Sequence, residues 1–174
     1  MTDILNSEGN PQHTDTVGPH SGPCHVDGDF CGQGVLKLVQ EVMTTRVHKV
    51  GMDDTLRSIQ AVFAKANFHH ILVMEQDRLM GIISDRDLLK HLSHRLGSGY
   101  ETQADLSTLN KKAHQIMSRR PVTVLDDASV KEAACLMLQR NVSCLPVVDA
   151  SDRVAGILSW KDLLRHTLVG CCPD

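Results

Sequence analysis

The sequence has few aromatic residues, no excess of positive charge and no long apolar run. Aromatic side chains make up 3% of its 174 residues, too few for the stacking platforms of single-stranded nucleic-acid binders. The net charge of −3 lacks the basic footprint of a DNA- or RNA-binding domain. No apolar run approaches the ~20 residues of a membrane helix, and the N-terminus lacks the basic-then-apolar pattern of a signal peptide. We therefore expect a cytoplasmic protein without a nucleic-acid or membrane partner.

The first 34 residues contain neither lysine nor arginine and carry a charge of −5, against +2 for the rest of the chain. Glycine and proline interrupt any hydrophobic periodicity in this segment. Such a segment buries too little apolar surface to offset the entropy lost on ordering it. We predict that residues 1–34 are disordered.

The six cysteines are irregularly spaced, and two fall in apolar segments, a pattern typical of reduced thiols rather than of a disulfide framework. The N-terminal segment contains metal-ligating residue types without a C-x-x-C pair or another zinc spacing, namely His13, His20, Cys24, His25 and Cys31. A metal or redox sensor that uses this segment, with or without Cys171 and Cys172, stays open as an alternative function.

A nine-residue frame occurs twice in the chain, 75 positions apart. Each copy has a glycine, two aliphatic residues, Ser-x-x-Asp and a leucine pair, at positions 81–89 and 156–164. Ser-x-x-Asp is typical of a helix start, because the serine hydroxyl accepts from a first-turn amide while the acid reaches back to the cap. The frames therefore predict two helices, capped by Ser84 with Asp87 and by Ser159 with Asp162.

The pattern around the frames predicts one order of elements twice: a short helix, then strand, helix, strand, strand and helix. Helices are predicted to begin at Thr55, Ser84, Ser129 and Ser159, the second running to Leu96, with strands near 47–50, 71–74, 79–83, 121–124, 145–148 and 154–158. Strands apolar at nearly every position are covered on both faces. A unit of about sixty residues buries too little surface alone, so two repeats should pack together. We place the repeats at 35–96 and 109–168, with a linker at 97–108 and a tail at 169–174.

The repeated motifs are Met-Thr or Met-Ser, an Asp-Asp pair before a helix, Leu-Pro-Val-Val-Asp, and Gly-Ile-Leu/Ile-Ser-x-x-Asp-Leu-Leu. Together they resemble the CBS domain, named after cystathionine β-synthase, over residues 40–168. The resemblance implies an α/β (α+β) fold in which two β-α-β-β-α repeats pack as a pseudo-twofold pair with two clefts. It also implies homodimers formed through flanking helices, which here carry Ile59, Phe63, Met137 and Leu138.

The resemblance further implies a regulatory module that is not an enzyme. Such a module senses AMP, ADP, ATP or S-adenosylmethionine and changes shape to regulate an unidentified partner protein. The sequence contains no G-x-S-x-G elbow, P-loop or H-E-x-x-H helix that would indicate catalysis. A ligand-free dimerisation or partner-docking module stays open as a second alternative.

By the same resemblance, each cleft takes residues from both repeats. One cleft is expected to contain Thr123, Val142, Ser143, Cys144, Ser84, Arg86 and Asp87, and the other Lys49, Phe68, His69, His70, Ser159, Lys161 and Asp162. An aspartate in the first helical turn can accept both ribose hydroxyls, and the helix N-terminus favours a nearby phosphate. Lys49 departs from the position that Thr123 fits, whereas His69, His70 and Lys161 suit a phosphate.

Overall fold

The computed structural model of the protein describes residues 37–65 and 68–168. The predicted disorder of residues 1–34, the Cys/His-containing segment within them and the tail at 169–174 lie outside the described residues. Within the described part, no helix combines the length and apolar character needed to cross a membrane.

The two halves of the chain show the same order of elements. The first half contains α1 (Val39–Val42), β1 (Lys49–Gly51), α2 (Leu56–Ala64), β2 (His70–Glu75), β3 (Arg78–Ser84) and α3 (Asp85–His91). A connection follows with α4 (Gln103–Ser107) and a 3₁₀ turn (Thr108–Asn110). The second half contains α5 (Ala113–Ile116), β4 (Ser118–Arg119), β5 (Val124–Leu125), α6 (Val130–Arg140), β6 (Cys144–Val148), β7 (Val154–Ser159) and α7 (Trp160–Leu168). The predicted mixed α/β fold of two repeats is confirmed.

The described strands form two sheets, and the chain crosses between them. One sheet has the order β1-β2-β3-β4 and the other β5-β6-β7. In each, the first strand pairs in parallel with the second, which pairs antiparallel with the third. β4 belongs to the second half of the chain but pairs with β3, with Gly81 opposite Arg119. Reciprocally, Thr44 of the first half forms a bridge with Ile157 of β7.

Each of the two hydrophobic cores also contains residues from both halves of the chain. The first core contains residues of α2, β2 and β3 together with Ala113, Ile116 and Met117 from the start of the second half. The second core contains residues of β5, α6, β6 and β7 together with Val39 of α1. Each short helix therefore completes the core of the other repeat, which explains why a unit of this size requires its partner.

The glycine that leads each frame packs against a segment that comes from the other half of the chain. We call these the exchanged segments, Met117 and Ser118 beside Gly81, and Met43 and Thr44 beside Gly156. A Cβ atom on Gly81 would lie 2.6 Å from Met117 Sδ and 2.9 Å from the Ser118 carbonyl oxygen. A Cβ atom on Gly156 would lie 2.6 Å from Met43 Sδ and 2.9 Å from the Thr44 carbonyl oxygen. The repeated glycine is thus required by close packing between the halves.

Several sequence predictions need correction. α3 ends at His91 rather than Leu96, because Leu92 is extended with a ψ of 146°. The predicted linker contains α4, which begins where the Thr102 side chain accepts a hydrogen bond from the Asp105 amide. Ile59 and Met137 are buried in the two cores and therefore do not face a second copy. Leu138, by contrast, is 82% exposed.

Candidate functional site

The two Ser-x-x-Asp frames cap their helices as predicted. Asp87 Oδ2 accepts hydrogen bonds from Ser84 N at 3.1 Å and Ser84 Oγ at 2.6 Å. Asp162 Oδ2 accepts from Ser159 N at 2.8 Å and Ser159 Oγ at 2.6 Å. The second oxygen of each aspartate is more weakly engaged, since Asp87 Oδ1 lies 3.7 Å from Lys90 Nζ and Asp162 Oδ1 lies 3.5 Å from an Arg165 guanidinium nitrogen. Capping therefore leaves one oxygen of each carboxylate available.

The charge on Asp87 is supported by its surroundings. Burial disfavours the carboxylate, but hydrogen bonds from the Ser84 hydroxyl and amide outweigh that effect and, with Lys90, lower the pKa of Asp87 below its ordinary value. Asp87 is consequently ionised at neutral pH and can accept hydrogen bonds from a ligand.

A groove of about 980 Å³ runs between the repeats, bordered by both frames. Twelve of the fourteen predicted site residues line it: Ser84, Arg86, Asp87, Val142, Ser143, Cys144, Phe68, His69, His70, Ser159, Lys161 and Asp162. The predicted clefts are therefore two parts of one groove. We call the Asp87 half the part formed by Ser84–Asp87, Lys90, Ser118–Val122 and Asn141–Cys144, and the Asp162 half the part formed by Ser159–Asp162, Arg165, Arg46–His48 and Phe68–His70.

Lys49 and Thr123 do not line the groove, contrary to the sequence prediction. Lys49 begins β1, where it is opposite Leu72 in the sheet, and it lines a separate cavity of about 480 Å³. Thr123 directly precedes β5 and lines neither cavity. The residues that reach the groove precede these first strands, because β4 and Thr44 pair with the frame-bearing strands of the other sheet.

The structure adds groove residues that the sequence prediction omitted. They include His48, Asp85, Asn141, Trp160 and five basic residues, Arg46, Lys90, Arg119, Arg120 and Arg165. The repeat register contained a signal for four of these, since Arg46 and Arg120 are 74 positions apart and Lys90 and Arg165 are 75 positions apart.

The groove is positively charged although the chain is acidic. Seven lysine and arginine residues line it against three aspartates, a formal charge of +4, whereas the whole chain carries −3. The basic residues are Arg46, Arg86, Lys90, Arg119, Arg120, Lys161 and Arg165. Concave surfaces with charge of one sign concentrate ligands of the opposite sign.

A hydrogen-bonded chain links the two repeats within the groove. His69 Nδ1 lies 2.7 Å from Asp85 Oδ2, and His69 Nε2 lies 2.9 Å from Lys161 Nζ. An ammonium group only donates, so Nε2 accepts from Lys161 and Nδ1–H donates to Asp85. Burial opposes ionisation of Asp85, but the hydrogen bonds from His69 and from the Arg86 amide lower the pKa of Asp85 overall.

A serine and a histidine also meet across the repeat boundary, without the features of a catalytic pair. Ser143 Oγ lies 3.4 Å from His70 Nε2, beyond the usual length of a strong hydrogen bond from a hydroxyl. Burial lowers the pKa of His70, although Asp85 partly opposes this. The Asp85 carboxylate is hydrogen-bonded to His69, so it does not orient His70.

Among the described residues, Cys144 does not meet the requirements of a reactive thiol, and the potential metal ligands do not meet those of a metal site. Burial, with a contribution from Asp162, raises the pKa of Cys144 to about 12, so its thiol is not an activated nucleophile. Among residues 37–65 and 68–168, no cluster of three or more His, Cys, Asp or Glu side chains is arranged to hold a metal ion. The cysteines and histidines of the proposed metal or redox sensor lie outside these ranges.

Comparisons with known proteins identify the repeats. The family model described as the CBS domain matches residues 39–94 and 113–168. A CBS domain-containing protein of Dictyostelium discoideum is 36% identical over 129 residues, which cover 73% of this chain and 88% of that protein. A homoserine O-acetyltransferase of Methanococcus vannielii is 27% identical, but the chain spans only 24% of its length, so its activity is not transferred to this chain.

Two solved structures share the fold and contain adenosine-bearing ligands. The CBS domain pair of protein MJ0100, in complex with 5′-methylthioadenosine and S-adenosyl-L-methionine, is 26% identical with a TM-score of 0.61, covering 75% of this chain and 99% of that one. CBSX2 of Arabidopsis thaliana, in complex with AMP, is 26% identical with a TM-score of 0.63, covering 78% of this chain and 98% of that one.

Proposed function

Because this chain belongs to the CBS domain family, we propose that it is a regulatory module that binds adenine nucleotides in the groove between its repeats. The candidate ligands are AMP, ADP, ATP and S-adenosylmethionine, one in each half of the groove. Binding changes the relative position of the repeats and thereby regulates a partner protein, without catalysis by the module itself. The complexes of MJ0100 and CBSX2 support this ligand class.

The observation that carries the proposal is a basic groove that includes both Ser-x-x-Asp frames. Its volume of about 980 Å³ is sufficient for small-molecule ligands. Asp87 and Asp162 each retain a carboxylate oxygen that can accept from a ribose hydroxyl. The partly buried aliphatic side chains that line the groove can cover an adenine ring, namely Ile82, Val122, Val142 and Ile157.

The phosphate partners are guanidinium groups that the described part of the protein leaves without an ion pair. Arg46, Arg86 and Arg120 line the groove, and none of their side chains has a hydrogen bond or ion pair within residues 37–65 and 68–168. A guanidinium group can donate two parallel hydrogen bonds to a phosphate. These residues therefore favour a phosphorylated ligand over an uncharged nucleoside.

Titration calorimetry with AMP, ADP, ATP and S-adenosylmethionine tests the proposal, with GMP as the control for the base. At least one adenine ligand should bind, and the double variant Asp87→Asn/Asp162→Asn should lose most of the affinity. Replacing each aspartate weakens a charge-assisted hydrogen bond, which corresponds to about ten-fold or more in affinity.

The chain offers a matched control for helix capping. Asp105 Oδ2 accepts from Thr102 N at 2.8 Å and Thr102 Oγ1 at 2.7 Å, the geometry of the two frames, but Asp105 does not line the groove. Asp105→Asn should therefore retain binding. If no adenine ligand binds, or if the double variant binds as tightly as the parent while folding normally, the proposed function is wrong.

We also propose that the module forms a homodimer through α6, on which Leu138 is 82% exposed. Of the four positions expected at a dimer interface, Leu138 is the most exposed, so its replacement should affect dimerisation most. Light scattering at micromolar concentration should give a dimer, and Leu138→Asp should shift the protein towards the monomer. A parent protein that is monomeric at this concentration would exclude the dimer.

A further inference from the structure

The two halves of the groove differ at the residue directly before the central strand of each repeat, β2 and β6. His69 occupies this position in the first repeat and Ser143, 74 positions later, in the second. The basic residues of the frames are likewise counterparts, Lys161 in one frame and Arg86 in the other, 75 positions apart. His69 therefore meets Lys161 across the repeat boundary, whereas the counterpart of His69 beside Arg86 is a short serine.

The two basic residues consequently differ in their availability. Lys161 Nζ donates to His69 Nε2 at 2.9 Å, and His69 in turn donates to Asp85 at 2.7 Å. The Arg86 side chain forms no hydrogen bond or ion pair with the described residues. At the position equivalent to Asp85 the second repeat has Trp160, so the second repeat supplies no acid that could anchor Ser143 as Asp85 anchors His69.

We propose that His69 determines which nucleotide each half of the groove prefers, because it accepts a hydrogen bond from Lys161 and so fixes the ammonium group beside the His69–Asp85 pair, where it cannot follow a long phosphate chain. The Asp162 half thereby selects adenine nucleotides with fewer phosphates, and the Asp87 half, with Arg86 free, selects those with more. This inference rests on the proposed function, and it assigns His69 the role of a positioning residue that acts through Lys161.

The hydrogen bond between Lys161 and His69 affects how strongly the Asp162 half binds phosphates. The Lys161 ammonium has three N–H donors and uses one on His69, so it can contact a phosphate from this fixed position but must lose the hydrogen bond to His69 to follow a longer phosphate chain. A triphosphate extends further than a monophosphate, so the fixed position of Lys161 disfavours ATP relative to AMP in the Asp162 half.

The test replaces His69 with its counterpart residue and measures the ratio of ATP affinity to AMP affinity. The measurements use the Asp87→Asn background, in which the Asp162 half dominates binding. His69→Ser should raise the ATP-to-AMP affinity ratio by roughly three- to ten-fold, the range of one partly exposed charge contact. Trp160 is the only tryptophan and lines the groove, so its fluorescence provides a second readout beside calorimetry.

Two further variants separate a specific effect through Lys161 from a general one. In a Lys161→Ala background, His69→Ser should leave the ratio unchanged, because the side chain that it releases is absent. His94→Ser, at an exposed histidine that does not line the groove, should also leave the ratio unchanged. If His69→Ser does not fold, Asp85→Asn serves instead, since it removes the acid that orients His69 and should raise the ratio as well.

The outcomes distinguish this inference from the proposed function. If the variants bind both nucleotides with an unchanged ratio, or if the ratio rises equally without Lys161, the role of His69 is wrong while adenine-nucleotide binding stands. If the parent protein binds neither ATP nor AMP, the proposed function fails and the selectivity falls with it.

Discussion

In the first repeat two histidines lie at the start of the central strand, whereas the second repeat has Ser143 and Cys144 at the equivalent positions. The first residue of the frame helix is Asp85 in one repeat and Trp160 in the other. Both repeats nevertheless share two local features: the frame serine caps its helix, and the frame glycine packs closely against a segment of the other half.

This contrast separates what holds the pair together from what differs in its groove. The exchanged helices, the close-packed glycines and the capping aspartates recur in both repeats, since each repeat depends on the other for its core. Apart from the buried Cys144, the groove side chains are exposed or half-buried, so they can differ with little effect on folding. One duplicated scaffold can thus present two chemically different halves.

The largest expected effect tests whether the repeats fold as one unit. Ile71→Ala and Leu145→Ala are counterparts in β2 and β6, and both side chains are fully buried. Each should lower the free energy of unfolding by about 2–5 kcal/mol. Urea denaturation should show one cooperative transition for either variant, because each core contains the short helix of the other repeat. Leu89→Ala, at a 65% exposed leucine, is the control. Two separate transitions would show that the cores are independent.

A smaller effect tests the close contacts of Gly81 and Gly156 with the other half of the chain. Gly81→Ala and Gly156→Ala each insert a methyl group 2.9 Å from a backbone carbonyl oxygen of the exchanged segment. Overpacking of this kind should destabilise each variant by about 1–3 kcal/mol, as measured by urea denaturation. Gly51→Ala is the matched control, because its nearest neighbour lies at an ordinary 3.8 Å. A much smaller loss of unfolding free energy in one variant would show that its glycine packs less closely against the segment from the other half.

The smallest effect concerns the Thr102–Asp105 cap, which lies in the connection between the repeats and outside the groove. Hydrogen bonds from the Ser93 hydroxyl, the Thr102 amide and the Thr102 hydroxyl lower the pKa of Asp105 to about 2. A lowered folded-state pKa stabilises the protein above the unfolded pKa of about 3.9, and this contribution is lost as the pH falls towards 2. The urea midpoint should therefore fall less for Asp105→Asn than for the parent between pH 5 and pH 2. Parallel curves would contradict the assigned pKa.

The local parts of this architecture could be predicted from the sequence because their signals lie within a few residues. The caps at Ser84, Ser129 and Ser159 each depend on an acid three positions later, and the structure confirms all three. The Thr102-x-x-Asp105 cap carries the same signal, but its polar surroundings led to the prediction of a linker. The sequence shows a glycine at the start of each frame, but it does not indicate that Gly81 and Gly156 pack against the other half of the chain.

The long-range parts could not be predicted in the same way. The contact between His69 and Lys161 joins residues 92 positions apart and depends on how the two sheets are placed. Lys49 and Thr123, predicted to lie in the clefts, lie outside the groove for a related reason, because Thr44 pairs with β7 and β4 pairs with β3. This pairing brings the segments before β1 and β5, rather than these two strands, to the groove.

The most direct test of the account counts the AMP molecules bound per chain by calorimetry, in the parent and in the variants Asp87→Asn and Asp162→Asn. Each aspartate serves one half of the groove, so we expect two molecules for the parent and one for each variant. Asp105→Asn, which changes a cap outside the groove, should still bind two. Two-site binding through Asp87 and Asp162 is contradicted if the parent binds no AMP, or if both single variants bind as many molecules as the parent with unchanged affinity.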